Sequence, residues 1–161
     1  MWHLSWRADP RALPLADRHY NRQSVGSDQF VPPGRCLVLL TAPADALWVT
    51  SWPLPEYTQH AWAGAWICSL FRNESAHLSS EMIAAAVAAT RWRWPAVPEL
   101  GMVTFVDPTK TRRKRDPGRC YRRAGWVEVG RTKELGLVAL QQRPEDMPEP
   151  AAPLGAQDGL W

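Results

Sequence analysis

The chain has 161 residues, 45% apolar and 22% charged, a balance that fits one globular domain and excludes wholesale disorder. Its longest apolar run, Met82 to Ala89, is eight residues, far short of the roughly 20 that a bilayer span needs. The net charge of +3 is concentrated: Lys110 to Arg123 holds eight basic residues and one acid, a net +7 in 14 residues that leaves −4 for the other 147.

Residues 1–17 show no clean period, and Asp17 to Phe30 is polar with a turn at Gly26. After the break at Pro32-Pro33-Gly34, Cys36–Leu40 reads as a buried strand and Ala46–Thr50 as its hairpin partner. Pro53 and Pro55 end that element, and Gly64–Phe71 is the next strand. Leu78, Met82, Ala85, Ala89 and Trp92 then recur at helical spacing. Ser79 or Ser80 is the expected cap of that helix, Glu81 suits its first turn, and Pro95 stops it. Gly101–Val106 is a β-branched and aromatic strand ended by Asp107-Pro108.

Beyond the basic segment, Asp116-Pro117 predicts a short helix from Pro117 to Ala124, stopped by Gly125. Trp126–Val129 and Leu137–Leu140 are expected as antiparallel neighbours. The stretch from Gln142 to Trp161, with four prolines and four acids, reads as a disordered tail on a single domain spanning 1–141. The order predicts an α/β fold with helices packed on a twisted sheet. Three separated cysteines with no CxxC pair argue against a disulfide scaffold or structural zinc site. With no apolar signal-peptide core at the N-terminus, a reducing, cytoplasmic location is expected.

The order from Cys36 to Leu140 resembles the GCN5-related N-acyltransferase fold, a mixed, mainly antiparallel sheet flanked by helices. In Arg119-Cys120-Tyr121-Arg122-Arg123-Ala124-Gly125-Trp126 a Tyr is followed by a Gly-aromatic pair, as in that family's late helix. His19-Tyr20-Asn21-Arg22, Leu70-Phe71-Arg72-Asn73-Glu74, Met102 to Asp107 and Arg113 to Tyr121 more specifically resemble the Mom proteins, acyltransferase-related bacteriophage enzymes of DNA modification. The resemblance covers roughly residues 17 to 141. It implies addition of a carbamoylmethyl group to adenine N6 in double-stranded DNA, with protection against restriction. A small-molecule group donor is implied. Iron is a suggested cofactor and acetyl-CoA a less favoured one, because the link Arg72 to Ser80 lacks the glycines of an acyltransferase cofactor loop. No membrane partner is expected, and oligomeric state is open, a homodimer being one arrangement.

Modifying an adenine amine requires holding the backbone, extruding the base and removing a proton. His19 and Tyr20 are candidates for proton transfer and stacking, with Asp28 placed to orient His19. Ser69, Arg72, Asn73 and Glu74 fall at or just past the end of a central strand, where open α/β sheets bind ligands. Glu74 is a candidate general base, Asn73 a candidate adenine reader, and helix capping is the competing role. His19, Glu74 and His77 would form a two-His, one-carboxylate set if iron is used. Asp107 follows a strand directly, as a catalytic carboxylate or a turn residue before Pro108. By the same resemblance Tyr121 falls in the short helix where acyltransferases often place a proton donor, with a core tyrosine as the competing role. Ser79 and Ser80 could receive a cofactor anion at the helix N-terminus. Arg112, Arg113, Lys114, Arg115 and Arg119 are the candidate phosphate contacts. Of the ten tryptophans, most are expected in the core. Two rival functions remain: an acetyl-CoA-dependent N-acetyltransferase for a protein or small amine, and a non-catalytic DNA-binding anti-restriction protein.

Overall fold

The computed structural model describes residues 1–19, 25–27, 29–58, 60–110 and 118–156. Seven strands form one sheet in the order β1-β2-β3-β4-β5-β7-β6. They are β1 Trp2–Leu4, β2 Arg35–Thr41, β3 Ala46–Trp52, β4 Trp66–Asn73, β5 Met102–Val106, β6 Val127–Arg131 and β7 Val138–Gln142. Helices α1 Leu13–Asp17, α2 Ser79–Arg93 and α3 Arg119–Arg123 flank the sheet. Every neighbouring pair is antiparallel except β4 and β5. This is the acyltransferase-like topology expected from the sequence. Among the described residues no helix is long and apolar enough to cross a membrane.

The sheet buries side chains on both faces. On one face Leu37, Leu39, Trp48, Trp66, Cys68, Met102, Val106 and Leu140 pack with α2 and α3. On the other, Val38, Leu40, Leu47, Val49 and Leu70 pack under Ala12, Leu15 and Ala16 of the α1 region. A buried hydrogen-bond chain fixes α2 to the sheet. Trp48 Nε1 donates to Thr50 Oγ1 at 2.6 Å, the Thr50 and Thr90 hydroxyls lie 2.9 Å apart, and Thr90 donates to the Ala86 carbonyl at 2.8 Å. Since the Thr90 hydrogen goes to Ala86, the Thr50 hydroxyl donates to Thr90, and every member is satisfied.

The structure departs from the sequence expectations in four places. The aperiodic N-terminus contributes both β1 and α1, each too short to show a period. Ser79 and Ser80 open α2 rather than cap it: the cap position is Leu78, which forms no side-chain cap bond. The buried residues of α2 are Met82, Ile83, Ala86, Val87, Ala88, Ala89 and Thr90, while Leu78, expected among them, is exposed. Finally, the expected disordered tail is held against the fold as far as 156. Gln142 is buried within β7 and Met147 is buried beyond it. Ala151 N donates to Ala88 O at 3.1 Å, Arg91 Nη1 donates to Pro148 O at 2.7 Å, and Leu154 bridges His3 at the β1 edge. Prolines remove donors but leave carbonyls, and this segment uses those carbonyls and its few remaining N–H groups. The Asp116-Pro117 helix start lies outside the described residues, but Gly125 does follow α3, at φ 93°.

Gly101 sets the start of the parallel pair. Its carbonyl accepts from Trp66 N at 2.9 Å, and its φ is 68°. A Cβ there would lie 2.1 Å from the Gln142 carbonyl oxygen. Gly101→Ala is therefore expected to destabilise the fold by about 2–4 kcal/mol, read as a lowered midpoint in urea unfolding with an unchanged slope.

Candidate active site at the fork of the sheet

β4 and β5 pair for only three residues, Trp66 with Met102, Ile67 with Val103 and Cys68 with Thr104. Thr104 Oγ1 then donates to the Cys68 carbonyl at 3.0 Å, and beyond that tie the two strands share no register pair. A bulge begins at the same point. Thr50 of β3 faces Cys68 while Val49 faces Leu70, so Ser69 is the extra residue of β4. Its hydroxyl lies 3.0 Å from that of Ser51. The bulge moves β4 onto a new alternation: Cys68 and Phe71 pack on the α2 side, Leu70 on the α1 side.

Tyr121 of α3 reaches the base of this fork. It is buried against Phe71 and Trp126, with ring centroids at 6.3 and 5.1 Å, and its hydroxyl is 3.6 Å from Cys68 Sγ. Burial holds the Tyr121 phenol well above its usual range and pushes the Cys68 thiol up to about 12. Both groups therefore stay protonated at neutral pH.

The far end of β4 carries a charge cluster. Arg18, at the end of α1, donates to both Glu74 oxygens at 2.7 and 2.8 Å. Arg72 Nε adds a third bond to Glu74 at 2.9 Å, and Glu74 N donates to Asp45 O at 2.7 Å. The Arg18 hydrogen bonds, then those of Arg72, hold the Glu74 carboxyl down at about 2. A carboxylate bound this way is a poor proton acceptor at neutral pH. It is instead the anchor of α1 on β4.

Asn73 is also committed. Its Oδ1 accepts from Ser75 N and Ser75 Oγ, at 2.9 and 2.5 Å, and its Nδ2 donates to His77 O and Ser79 Oγ, both at 2.9 Å. It folds the loop into α2 and has no edge left for reading adenine. Asp107 Oδ1 accepts from Thr109 N at 2.9 Å and Thr109 Oγ1 at 2.6 Å. The Thr109 bond lowers its carboxyl below the ordinary value. This is the turn role weighed for it from sequence.

The other candidates divide. His19 follows Arg18 at the end of α1, with its N–H on Ala16 O, so it joins the Arg72–Glu74 end of the fork in space. His77 is exposed in the loop before α2. Among the described residues no three His, Cys, Asp or Glu side chains group to hold a metal. The His19, Glu74, His77 set therefore does not assemble, because Glu74 is held by two arginines. Arg119 is exposed at the first residue of α3. Tyr20, Asp28, Arg112, Arg113, Lys114 and Arg115 lie outside the described residues.

Sequence reasoning missed His60, which sits beside the fork on the α1 side of the sheet. Its ring lies 5.0 Å from Phe105 and 6.1 Å from Trp62, and Trp62 lies 5.8 Å from Phe105. No local spacing announces this group, since Phe105 is about 45 residues from His60 in the chain.

Compared with known proteins, the chain matches no protein-family model, no curated protein and no solved structure.

Two outcomes are expected. Because the Glu74 carboxyl is lowered from 4.5 to about 2, its clamp contributes in full above pH about 4.5 and is lost as pH falls through about 2. Glu74→Gln should lower the melting temperature at pH 7, and the gap from wild type should narrow as pH is taken from 5 towards 2.5. A constant gap would contradict the clamp. Of the three free thiols, Cys36 and Cys120 are partly exposed and Cys68 is buried. Thiol titration of the native protein should therefore count two groups, with the third reacting only after denaturation.

Proposed function

We propose that the chain is an N-acyltransferase that moves an acyl group from a thioester donor to an amine. The observation that carries this reading is the fork itself. β4 parts from β5 at a bulge, and a buried, protonated tyrosine hydroxyl stands 3.6 Å from Cys68 Sγ at its base. Where two central strands part, their unpaired edges can bind the amides of a narrow, extended donor arm. The fold's resemblance to GCN5-related acyltransferases points the same way.

A thioester supplies a carbonyl carbon whose bond to sulfur breaks as its bond to the amine nitrogen forms; the nitrogen releases a proton and the departing thiolate takes one. Tyr121, kept protonated by burial, is suited to give that second proton. His19, at the end of α1, is the described candidate for accepting the first. Ser79 and Ser80 present first-turn N–H groups that have no partner within a helix, at its positive end. They suit the anionic end of a CoA-type donor. The link Arg72 to Ser80 has no glycine, and the four hydrogen bonds of Asn73 provide the tight loop instead.

The charge of the chain favours a second reading, modification of adenine in double-stranded DNA. Arg119, Arg122 and Arg123 lie on one five-residue helix, and they end the 14-residue segment of net +7. On this reading Arg112 to Arg115 and Arg119 hold phosphates, and Tyr20 and Asp107 belong to the base pocket.

Calorimetric titration with CoA and acetyl-CoA tests the first reading. Binding in the micromolar range is expected, and absence of binding by folded protein would overturn it. Tyr121→Phe should keep donor binding and lose about 10²-fold in kcat. Mass spectrometry of nucleosides from DNA of expressing cells tests the second: a heavier deoxyadenosine is expected, and unmodified DNA counts against it.

A further inference from the structure

We infer that His60 is the catch of a pH-sensitive latch: its neutral ring holds Trp62 down on the α1 side of β5 and β6, and uptake of a proton releases it. This device belongs to the fold and does not depend on the acyl-transfer reading. The catch is one hydrogen bond, in which Trp62 N donates to His60 Nδ1 at 3.1 Å. An imidazole nitrogen accepts such a bond only while it carries no hydrogen, so the neutral ring has its hydrogen on Nε2. Once Nδ1 is protonated as well, two donors face each other and the bond is lost.

The segment around Trp62 is anchored on one side and latched on the other. After Trp62, Ala65 N donates to Trp62 O at 3.2 Å, Trp52 Nε1 to Gly64 O at 3.2 Å and Trp66 N to Gly101 O at 2.9 Å. Before it, the ties among the described residues are the His60 bond and ring contacts. His60 lies 5.0 Å from Phe105 and 6.1 Å from Trp62, and Trp62 lies 5.8 Å from Phe105. The indole rests against β6 at Gly130, where a Cβ would lie 3.5 Å from its edge. His60, Trp62 and Phe105 are each partly exposed. A proton can therefore reach the catch, and the ring can lift without opening the core.

Among the described residues no carboxylate waits to hold the imidazolium in place. Phe105 and Trp62 carry no charge. Two residues beyond Phe105, Asp107 accepts from Thr109 N and Oγ1 and lies beside Lys110. On β6, Glu128 and Arg131 pair in register with Leu140 and Val138, which pack on the α2 side, and Glu128 lies 3.7 Å from Arg122 of α3. Both are therefore on the face away from Trp62. Burial is the one cause acting on His60, and it lowers the pKa from the ordinary 6.5. For a histidine lowered in this way, the contribution to local stability is complete above pH 6.5 and is lost as pH falls through the folded value. The latch is thus shut at pH 7.5 and opens on the acid side. Opening uncovers Phe105, which directly follows Thr104, the last β5 residue paired with β4, so acid changes access to the α1 side of the fork.

The test is NMR of wild type, His60→Asn and His60→Ala, titrated from about pH 8 to about pH 4.5, across the ordinary histidine range. It follows the His60 ring shifts and the solvent exchange of the Trp62 amide, corrected for the intrinsic pH dependence of exchange. Asn offers an acceptor oxygen to the amide two residues on, as Nδ1 does, and it does not titrate. In wild type the corrected Trp62 exchange should rise about tenfold or more on acidification, with a midpoint that tracks the His60 ring, while amides of β2 and β3 stay unchanged. His60→Asn should keep Trp62 protected throughout, and His60→Ala should leave it exchanging fast throughout. The latch is overturned by Trp62 protection that does not change as the His60 ring titrates, by a ring still neutral at the acid end, or by a pH response that persists in His60→Asn. Should His60→Ala fail to fold, wild type against His60→Asn decides the matter by the same readout.

Discussion

Two adjacent strands that run parallel for three residues and then separate set the layout of this protein. A parallel pair cannot be closed by a hairpin, so the chain needs a crossover between β4 and β5. α2 is that crossover, and it is pinned to β3 through Thr50 and Thr90. The loop from Arg72 to Leu78 enters the crossover, and the turn at Gly101 leaves it. The first carries most of the polar candidates, and the second fixes where the pairing starts. The Thr104 hydroxyl on the Cys68 carbonyl marks where it ends. Extra pairing beyond that point would hold the two strand ends together instead of letting them part.

Around the fork, polar groups differ in how fully the fold ties them down. Glu74 and Asn73 are fully occupied, one as an ion-pair anchor between α1 and β4, the other as the organiser of a glycine-free loop. Both looked catalytic because strand ends in α/β sheets so often are. Their geometry shows why position alone is insufficient. A carboxylate with three charge-assisted bonds is held ionised, and an amide with four partners has nothing to offer a ligand. Tyr121 is different. It is buried and protonated at the base of the fork, beside a thiol that burial also keeps protonated.

The two faces of the fork have different chemistry. The α2 side is apolar and tightly packed. The α1 side carries the partly exposed His60, Trp62 and Phe105 rings and the Arg18–Glu74–Arg72 ion-pair cluster.

Much of the fold was legible in the sequence. The strands around Leu37, Val49 and Phe105 and the alanine-rich helix follow from local periodicity and from proline and glycine punctuation, and those signals act over a few residues. Gly125 and the Trp126 strand were readable for the same reason. The short N-terminal elements and the segment after Gln142 were not, since their order comes from edges and carbonyls supplied by distant parts of the chain. The Asn73 and Glu74 roles, the extra residue at Ser69 and the meeting of His60 with Phe105 were also hidden. The sequence by itself determined which elements form and where charge is concentrated, because propensity and charge are local properties. Only the tertiary structure decided which polar groups are consumed and which rings converge, because hydrogen bonds and packing depend on residues brought together across the whole sheet.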